Sequence, residues 1–554
     1  MKKKLTKMIT KAIQCCLDTH SLPFLEIPPI LLELPKNSAH GDFSTNIAMV
    51  LASQIEKSPY EIASLIVSNM ADNEHVIQKV EIAGPGFINF FIDPRVWYQT
   101  LHIIHELRRA YGSSNLGQGK RVQVEFVSAN PTGPLHIGHG RGGAVGDCLA
   151  NILKAVGYHV QKEYYINDVG NQIDTLGQSV FLRYKQLLGE DIDFPSTYYQ
   201  GDYIRDIAKE IVSKYNRKYL NMKEEDAIPI FTSYGVKHIL NSIKVDLEDF
   251  GVRFDNWYSE KELFKSDAVH STVRGLKDKE YIYEKDGAVW FRSTRFGDEK
   301  DRVVVRSTGD TTYFASDLAY HKGKFERGFE TIIDVWGADH HGYVPRIQAG
   351  IQALGYRKDA LKVILIQMVN LLREGKPVSM STRAGEFVTL RQILDEVGRD
   401  AARFIFLTRR ADTPLDFDLE VAKKKTMDNP VYYVQYAHAR ICSVIKMASE
   451  RNIAVPKPPE ICTHVLNLPE ELQLIKQMAI YPYIVEGSAY HFEPHRIPYY
   501  LTQLASSFHG YYNKYRILSH DSDLTQARLY LVAALKIVLE NGLDLLGVSA
   551  PERM

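Results

Sequence analysis

At 554 residues, 45% of them hydrophobic, the chain is long enough to bury several cores, and domain-size rules point to three or four units. Its 67 basic residues balance its 67 acidic ones, so no overall cationic field marks a polyanionic partner, and any nucleic-acid surface has to be a local patch. Five cysteines (Cys15, Cys16, Cys148, Cys442 and Cys462), odd in number and without a C-x-x-C spacing, argue against a disulfide framework and suit a reducing cytoplasm. The opening MKKKLTKMITKAIQCC has the positive start of a signal peptide but carries Lys and Thr where an apolar core should run. No apolar run reaches membrane-spanning length, so neither secretion nor membrane insertion is indicated.

Residues 1–112 open with a predicted helix. LPKNSAHGDFSTNIAMVLAS then reads as a loop feeding an amphipathic helix, and VEIAGPGFINFFI as two strands around Gly84-Pro85-Gly86. This is a small α+β module. After GSSNLGQGK the text becomes RVQVEFVS, an alternating strand, then GHGRGGAVGDCLANILKAVGY, a helix ending at Gly157, then HVQKEYYIN, another strand. Such succession predicts a parallel sheet with its ligand crevice at the carboxyl ends of the strands. This α/β body covers 120–375, and within it roughly 173–295 reads as a charged, helical insertion between two halves of one sheet. VVVRSTGDTTYFASDLAYH, TIIDVWGADHHG and LKVILIQMVNLL resume the α/β text. A connecting segment covers 376–427, and tyrosine-rich helices over 428–554, broken by AVPKPPE, predict a separate all-α bundle.

The stretch PLHIGHG, 134–140, puts His136 and His139 where a strand gives way to a glycine-rich helix. Free N–H groups and the positive end of the dipole attract anions there, and imidazoles can donate to phosphate oxygens, so a phosphate-handling site is the natural inference. The bland alternative is a pair of turn residues with no chemistry. Gly138-x-Gly140-x-x-Gly143, with Glu163 downstream, also satisfies a dinucleotide fingerprint, but SANPTGPLHI with its two prolines separates the strand from those glycines. A zinc site using His340 and His341 with His136 or His139 lacks an H-E-x-x-H or cysteine partner, and a loop pair capping a helix start is favoured over it.

VEFVSANPTGPLHIGH resembles the HIGH signature of class I aminoacyl-tRNA synthetases in its arginyl-tRNA synthetase form. YYINDVGNQI (164–173), DTTYFASDLAYH (310–321), DVWGADHHGY (334–343), KPVSMSTRAGEF (376–387) and the terminal LDLLGVSAPERM follow in that family's order. The resemblance implies a class I Rossmann-like catalytic domain, an N-terminal module contacting the tRNA corner where the D-loop lies, and a C-terminal anticodon-binding bundle. It implies activation of L-arginine with ATP and Mg²⁺ and transfer to the 3′ end of tRNA(Arg), in the cytoplasm. The partners implied are tRNA(Arg), arginine and ATP; no DNA, membrane or zinc is expected, and the chain is read as a monomer.

Arginine's planar guanidinium calls for a carboxylate, while its α-ammonium and α-carboxylate need separate partners. The resemblance assigns Glu125 and Asn130 to the amino acid's backbone groups. Tyr313 and Asp317, i and i+4 on one helical face, match the pair that packs and neutralises the guanidinium. Asp168 and Gln172 follow the second strand where amino acid and nucleotide meet; ordinary turn chemistry competes for both. His136 and His139, with Gly138 and Gly140, are assigned to ATP, together with Ser379, Met380 and Ser381 of the second phosphate signature. That signature, KMSKS in the class, lacks both lysines here, and the compensating Lys that some members carry before HIGH is replaced by Gly133-Pro134. Lys376 and Arg383 are the candidate cations.

DNPVYYVQYAHAR (428–440) and SSFHGYYNKYRIL (506–518) interleave aromatic and basic residues, a mixture that suits unpaired bases, although tyrosines at helical spacing also line bundle cores. The resemblance favours anticodon binding with Tyr432, Tyr433, Tyr436 and Arg440 as candidates. GDFSTN and AGPGFIN carry the likeness of the N-terminal module, whose composition does not itself demand RNA. Rival readings are a synthetase for another amino acid, a small-molecule adenylyltransferase with H-x-G-H, and a synthetase-like binding protein without catalysis.

Overall fold

The computed structural model describes residues 1–554 except 34, 36, 379–387 and 458–460. It falls into two bodies, Met1–Arg108 with Ala454–Ala479 and Tyr515–Ala534, and Arg109–Ile453 with Ile480–Lys514 and Leu535–Met554.

In the first body the predicted opening helix is Lys2–Asp18, which buries Leu5, Ile9, Ala12, Ile13 and Cys16 along one stripe. An antiparallel sheet of β1 (Phe43–Thr45), β2 (Ile77–Ala83) and β3 (Phe87–Ile92) runs in the order β1-β3-β2. The expected turn joins β2 to β3. Gly86 has φ +135°, and a Cβ there would lie 2.8 Å from Pro59, so the turn requires glycine. The segment before the helix Ile47–Ala52, read as a loop, contains β1; three residues are too few to leave an alternation signal. Elsewhere in this body Tyr98 donates to the carbonyl of Leu466 at 2.8 Å and Arg528 Nε to Glu471 at 2.8 Å.

The second body holds the predicted parallel sheet: β4 (Arg121–Glu125), β5 (His159–Ile166), β6 (Asn256–Ser259), β10 (Thr331–Gly337) and β11 (Leu361–Ile366), in the order β11-β10-β4-β5-β6. From β4 the chain builds outward through β5 to β6, then returns to the other side of β4 for β10 and β11. A topological switch point therefore opens at the carboxyl end of β4. The helix Ile137–Ala155 links β4 to β5, and Gly146 lets it close on the sheet, since a Cβ there would sit 2.2 Å from the Phe126 ring.

The insertion departs from expectation. Asn171–Leu187, Asp202–Tyr215 and Glu224–Asp249 are helices as predicted, but 256–259 is β6, the edge strand of the main sheet. Beyond it β7 (Ile282–Lys285), β8 (Ala288–Phe291) and β9 (Arg302–Val305) form an antiparallel sheet in the order β7-β8-β9. Strands of four residues are shorter than the window in which alternation is legible. After β11, β12 (Val369–Arg373), β13 (Lys376–Pro377) and β14 (Leu415–Asp418) make a small sheet, β13-β12-β14. The helices Pro430–Glu450 and Arg496–Lys514 complete the part of this body that concerns function.

Candidate active site

The paired imidazoles do more than either sequence reading foresaw. His136 is the N-cap of Ile137–Ala155, its Nδ1 accepting from the Gly138 amide at 3.1 Å, while His139 Nδ1 accepts from the His136 amide at 3.2 Å. This is a reciprocal capping box built from two histidines, with rings stacked 3.6 Å apart. Because both Nδ1 atoms accept, each neutral ring carries its proton on Nε2. Burial lowers the His136 pKa, and burial with the neighbouring ring pushes His139 down to about 3. At neutral pH the pair is thus a set of uncharged N–H donors at a helix N-terminus, suited to hydrogen-bond an anion rather than to exchange protons with it. Gly138 leaves room for the His136 ring, which would stand 2.9 Å from a Cβ there. Gly140, assigned to ATP by sequence, instead faces Leu390 at 2.9 Å and Phe406 at 3.2 Å; its missing side chain serves packing.

The chain reaches this helix through Val127 and Ser128, at φ +67° and +39°. A β-branched residue in the left-handed region is strained, and the strain sits at the switch point. Ser128 Oγ holds the bend by donating to Glu125 at 2.9 Å and accepting from the Tyr165 amide at 3.1 Å. The SANPTGP segment is fixed by Tyr164, donating to the Ala129 carbonyl, and by Tyr203, donating to that of Thr132, both at 2.7 Å. Asn130 then donates to Gln172 at 2.8 Å, bringing two of the predicted amino-acid ligands together.

A second constellation gathers around Asp317 on the helix Tyr313–Glu326. Tyr343 donates to its carboxylate, and Tyr313, 61% exposed at the start of the same helix, sets its hydroxyl 3.0 Å from where a Cβ of Gly170 would stand, in the predicted NDVGNQ loop. Burial first, then the nearby charges of Glu125 and Asp334, raise the Asp317 pKa to about 6. Glu260, one residue past β6 and 3% exposed, is driven to about 7 by burial and by the charges of Asp317 and Asp168. Tyr165 and the Asn167 amide hydrogen-bond it. Among the described residues neither Asp317 nor Glu260 has a lysine or arginine partner. Two acids without a lysine or arginine partner among the described residues, beside tyrosines, have the chemistry to take a flat cationic group.

Glu260, Tyr343 and Tyr165 escaped the sequence reading. Tyr343 closes the quoted GADHHGY motif. Glu260 was hidden because NWYS was absorbed into a helical insertion; an acid directly after a strand of a parallel sheet was the available signal.

Three sequence assignments need correction or narrowing. Glu125, expected at the amino acid's backbone groups, accepts from Lys324 at 2.5 Å, Tyr320 at 2.8 Å and Ser128, so its carboxylate is already held by three groups of the protein. Glu163, the acid of the dinucleotide reading, is fully buried against Arg327 at 2.6 and 3.0 Å and Tyr320 at 2.6 Å, and no ribose could reach it. Asp168 accepts from Ser259 at 2.7 Å and lies 3.6 Å from Lys261, so its carboxylate ties the NDVGNQ loop to the end of β6 rather than serving a local turn.

His340 and His341 lie in the short helical turn Ala338–Tyr343, His340 beside Asp339 at 3.5 Å. Among the described residues no group of three His, Cys, Asp or Glu could hold a metal. Lys376 is exposed on β13, while Ser379, Met380, Ser381 and Arg383 lie outside the described residues. The backbone just beyond them pairs with the imidazole segment: Ile137 donates to Val388 at 3.3 Å and Leu390 to Leu135 at 2.7 Å.

On the helix Pro430–Glu450, Tyr432 stacks on Tyr436 at 5.8 Å, and Arg440 lies over Tyr436 at 4.6 Å and over Tyr512 at 4.5 Å. Tyr433 packs edge-on against His509 at 4.7 Å. All four candidates are half-buried, forming one aromatic and cationic ladder rather than a sealed core. No helix of the described residues is long and apolar enough to cross a membrane.

Family models match the chain over three stretches: an arginyl-tRNA synthetase N-terminal domain at 3–92, a class I (R) tRNA synthetase catalytic domain at 102–437, and a DALR anticodon-binding domain at 434–554. A Citrifermentans bemidjiense protein named arginine–tRNA ligase is 55% identical over all of both chains. The chain belongs to the arginyl-tRNA synthetase family. Among solved structures, a Campylobacter jejuni protein described as an arginyl-tRNA synthetase shares 35% identity at a TM-score of 0.77, covering 84% of this synthetase and all of its own chain. The Thermus thermophilus arginyl-tRNA synthetase shares the fold of this one at a TM-score of 0.79 and 22% identity, with full coverage of both.

Proposed function

We propose that this chain, an arginine–tRNA ligase that uses ATP as substrate, performs its chemistry with the two constellations at the carboxyl ends of its parallel sheet. Asp317 and Glu260 take the guanidinium between Tyr313 and Tyr343, with Asn130 and Gln172 meeting the amino acid's backbone groups and Asp168 bracing the loop beside them. His136 and His139 donate from Nε2 to the phosphates of ATP. An arginine carboxylate oxygen attacks the α-phosphorus, the bond to the bridging oxygen breaks, and pyrophosphate leaves with the electron pair. The protein contributes positioning and stabilisation of phosphate charge, and no protein nucleophile is used. We assign Mg²⁺ to the triphosphate itself, where it would offset charge on the departing group together with Lys376 and Arg383. The terminal adenosine of tRNA(Arg) then takes the arginyl group through its 2′-hydroxyl, releasing AMP.

The observation that carries the reading is the pair of raised acids, Asp317 and Glu260, which have no lysine or arginine partner among the described residues, because arginine supplies the charge that they lack. The ladder of Tyr432, Tyr433, Tyr436 and Arg440 is read as the anticodon surface, and residues 1–112 as the module for the outer corner of the tRNA. We further read the enzyme as a cytoplasmic monomer with no DNA or membrane partner.

The test is arginine-dependent ATP–pyrophosphate exchange with and without tRNA(Arg). Exchange is expected with arginine alone among the amino acids and mainly with tRNA present. His136→Ala or His139→Ala should slow it about a hundredfold, the ~3 kcal/mol that one preorganised donor is worth. Near-normal exchange in both variants would refute the assignment of the imidazoles.

A further inference from the structure

Along β11 the second body opens a cavity of about 700 Å³, a volume that suits a nucleotide-sized molecule. None of the residues assigned above to arginine, ATP or the anticodon lines it. β11 is the last strand of the parallel sheet, in register with β10 alone. Its residues Leu361, Lys362, Val363, Ile364 and Leu365 all line the cavity, although successive side chains of a strand face opposite ways. The cavity therefore follows the open edge of the strand rather than either face of the sheet, where outward backbone amides and carbonyls meet no further strand.

The walls divide by chemistry. Val363, Ile364, Leu365, Leu407 and Pro494 supply apolar surface, and Phe492 adds an aromatic ring. Phe492 has φ +56°, a conformation that suits glycine, so a ring is kept in this wall against a backbone cost. Positive charge comes from Lys358, Lys362 and Arg409, none of which forms a salt bridge among the described residues. Three acids share the walls, and each is already held by an arginine. Asp359 accepts from Arg357 at 2.8 Å, Asp412 from Arg410 at 2.9 and 3.0 Å, and Glu493 from Arg496 at 2.6 Å, with Arg410 a further 3.2 Å away. Arg357, Arg410 and Arg496 thus offset the three acids one for one, and Lys358, Lys362 and Arg409 remain as a surplus of three positive charges. His491 and His495 complete the polar lining without adding negative charge.

Apolar surface with a ring, beside a cationic surplus, is complementary to an anion that carries a flat ring of its own. A single phosphate group brings only about two negative charges, so the surplus calls for a diphosphate. We propose that this cavity binds a nucleoside diphosphate, the base against Phe492 and the apolar wall, the phosphates on Lys358, Lys362 and Arg409. The site takes a free nucleotide and stands apart from the one at which ATP reacts.

The experiment is calorimetric titration of GDP into the full chain with its catalytic site filled by arginyl-sulfamoyl adenosine, an adenylate analogue that carries no phosphate. One GDP is expected to bind per chain. Lys362→Gln and Arg409→Gln should each weaken it about fivefold or more. Phe492→Ala should weaken GDP about fivefold or more while changing the affinity for pyrophosphate less than about twofold, since only the nucleotide has a base to stack. In all three variants ATP–pyrophosphate exchange and the KM for tRNA(Arg) should stay within about twofold of wild type, with the melting temperature unchanged. Absence of GDP binding, or binding that the two charge variants leave intact, overturns the proposal. So does equal loss of GDP and pyrophosphate affinity in Phe492→Ala, which removes the base from the site. A KM for tRNA(Arg) raised in both charge variants assigns the cations to the tRNA and overturns it as well.

Discussion

Two sets of carboxylates occupy the carboxyl edge of one parallel sheet, and they are treated oppositely. Glu125, Glu163 and Asp334 are sealed with their own cations: Lys324 bridges Glu125 and Asp334, Arg327 clamps Glu163, and His321 adds to Asp334 at 2.8 Å. Burial works against ionisation there, yet Lys324 and His321 hold Asp334 at about 2, while Asp334 raises the His321 pKa in return. Among the described residues Asp317 and Glu260 have no lysine or arginine partner; His321 pulls Asp317 down only in part, and the two rise to about 6 and 7. An acid with its cation beside it is architecture; an acid deprived of one inside the same fold is a vacancy for a ligand of opposite charge. The sequence shows acids in strands, beyond a strand and on a helix and cannot distinguish the two sets, because the distinction lies in where Lys324 and Arg327 end up.

The sharpest way to break this contrast is to remove the cation from the sealed set. Lys324→Met leaves Glu125 and Asp334 buried around a single histidine and should cost about 3–5 kcal/mol of stability, read by urea unfolding at pH 7. In the wild type, the stabilisation from Asp334 is present above the ordinary carboxylate pKa and is lost as pH falls from there through about 2. The variant's deficit should therefore shrink on acidification. Next in size, Asp317→Asn should leave stability intact and lower kcat/KM for arginine about a hundredfold, ~3 kcal/mol, with the KM for ATP within about twofold. Normal arginine kinetics in that variant would move the guanidinium site elsewhere.

Much of the fold was legible. The parallel strands β4, β5, β10 and β11, the helix behind HIGH and the hairpin at Gly84–Gly86 each carried a period or turn signal long enough to read. β1 and the four-residue strands of the insertion did not, and missing β6 hid Glu260. At the site, His136, His139, Tyr313 and Asp317 came from motifs and meet suitable surroundings. Glu125 came from the same reasoning, and its pairing with Lys324 was not legible, since Lys324 lies 199 residues away in sequence and no local pattern announces it.

The contrast also has a pH signature. Arginine needs its acids ionised, and Asp317 and Glu260 gain protons near 6 and 7 in the empty site. The KM for arginine should thus fall several-fold as pH rises from about 5.5 to about 7.5, and binding in that window should release protons, visible as a buffer-dependent binding enthalpy. His139, already neutral down to about 3, contributes nothing in this range. A pH-independent KM would mean that the acids are not the arginine ligands.

The smallest effect is the most discriminating, because its sign separates the two sets. Replacing a sealed acid strands a cation, whereas replacing Glu260 removes a charge that burial, Asp317 and Asp168 all oppose. A carboxylate whose folded pKa lies above its unfolded one lowers stability wherever the unfolded chain has released its proton, in full above the folded pKa, so Glu260→Gln should stabilise the arginine-free enzyme at pH 8 by on the order of 1 kcal/mol. In a chain of this size that is a rise in melting temperature of no more than about 2 °C. The gain should shrink as pH falls below 7 and vanish only below the ordinary glutamate pKa of about 4.5, where folded and unfolded chains both hold the proton. Saturating arginine should reverse the order at pH 8, since the guanidinium repays only the variant that still has its charge. A destabilised Glu260→Gln at pH 8 would place Glu260 among the architectural acids and leave Asp317 to hold the substrate alone.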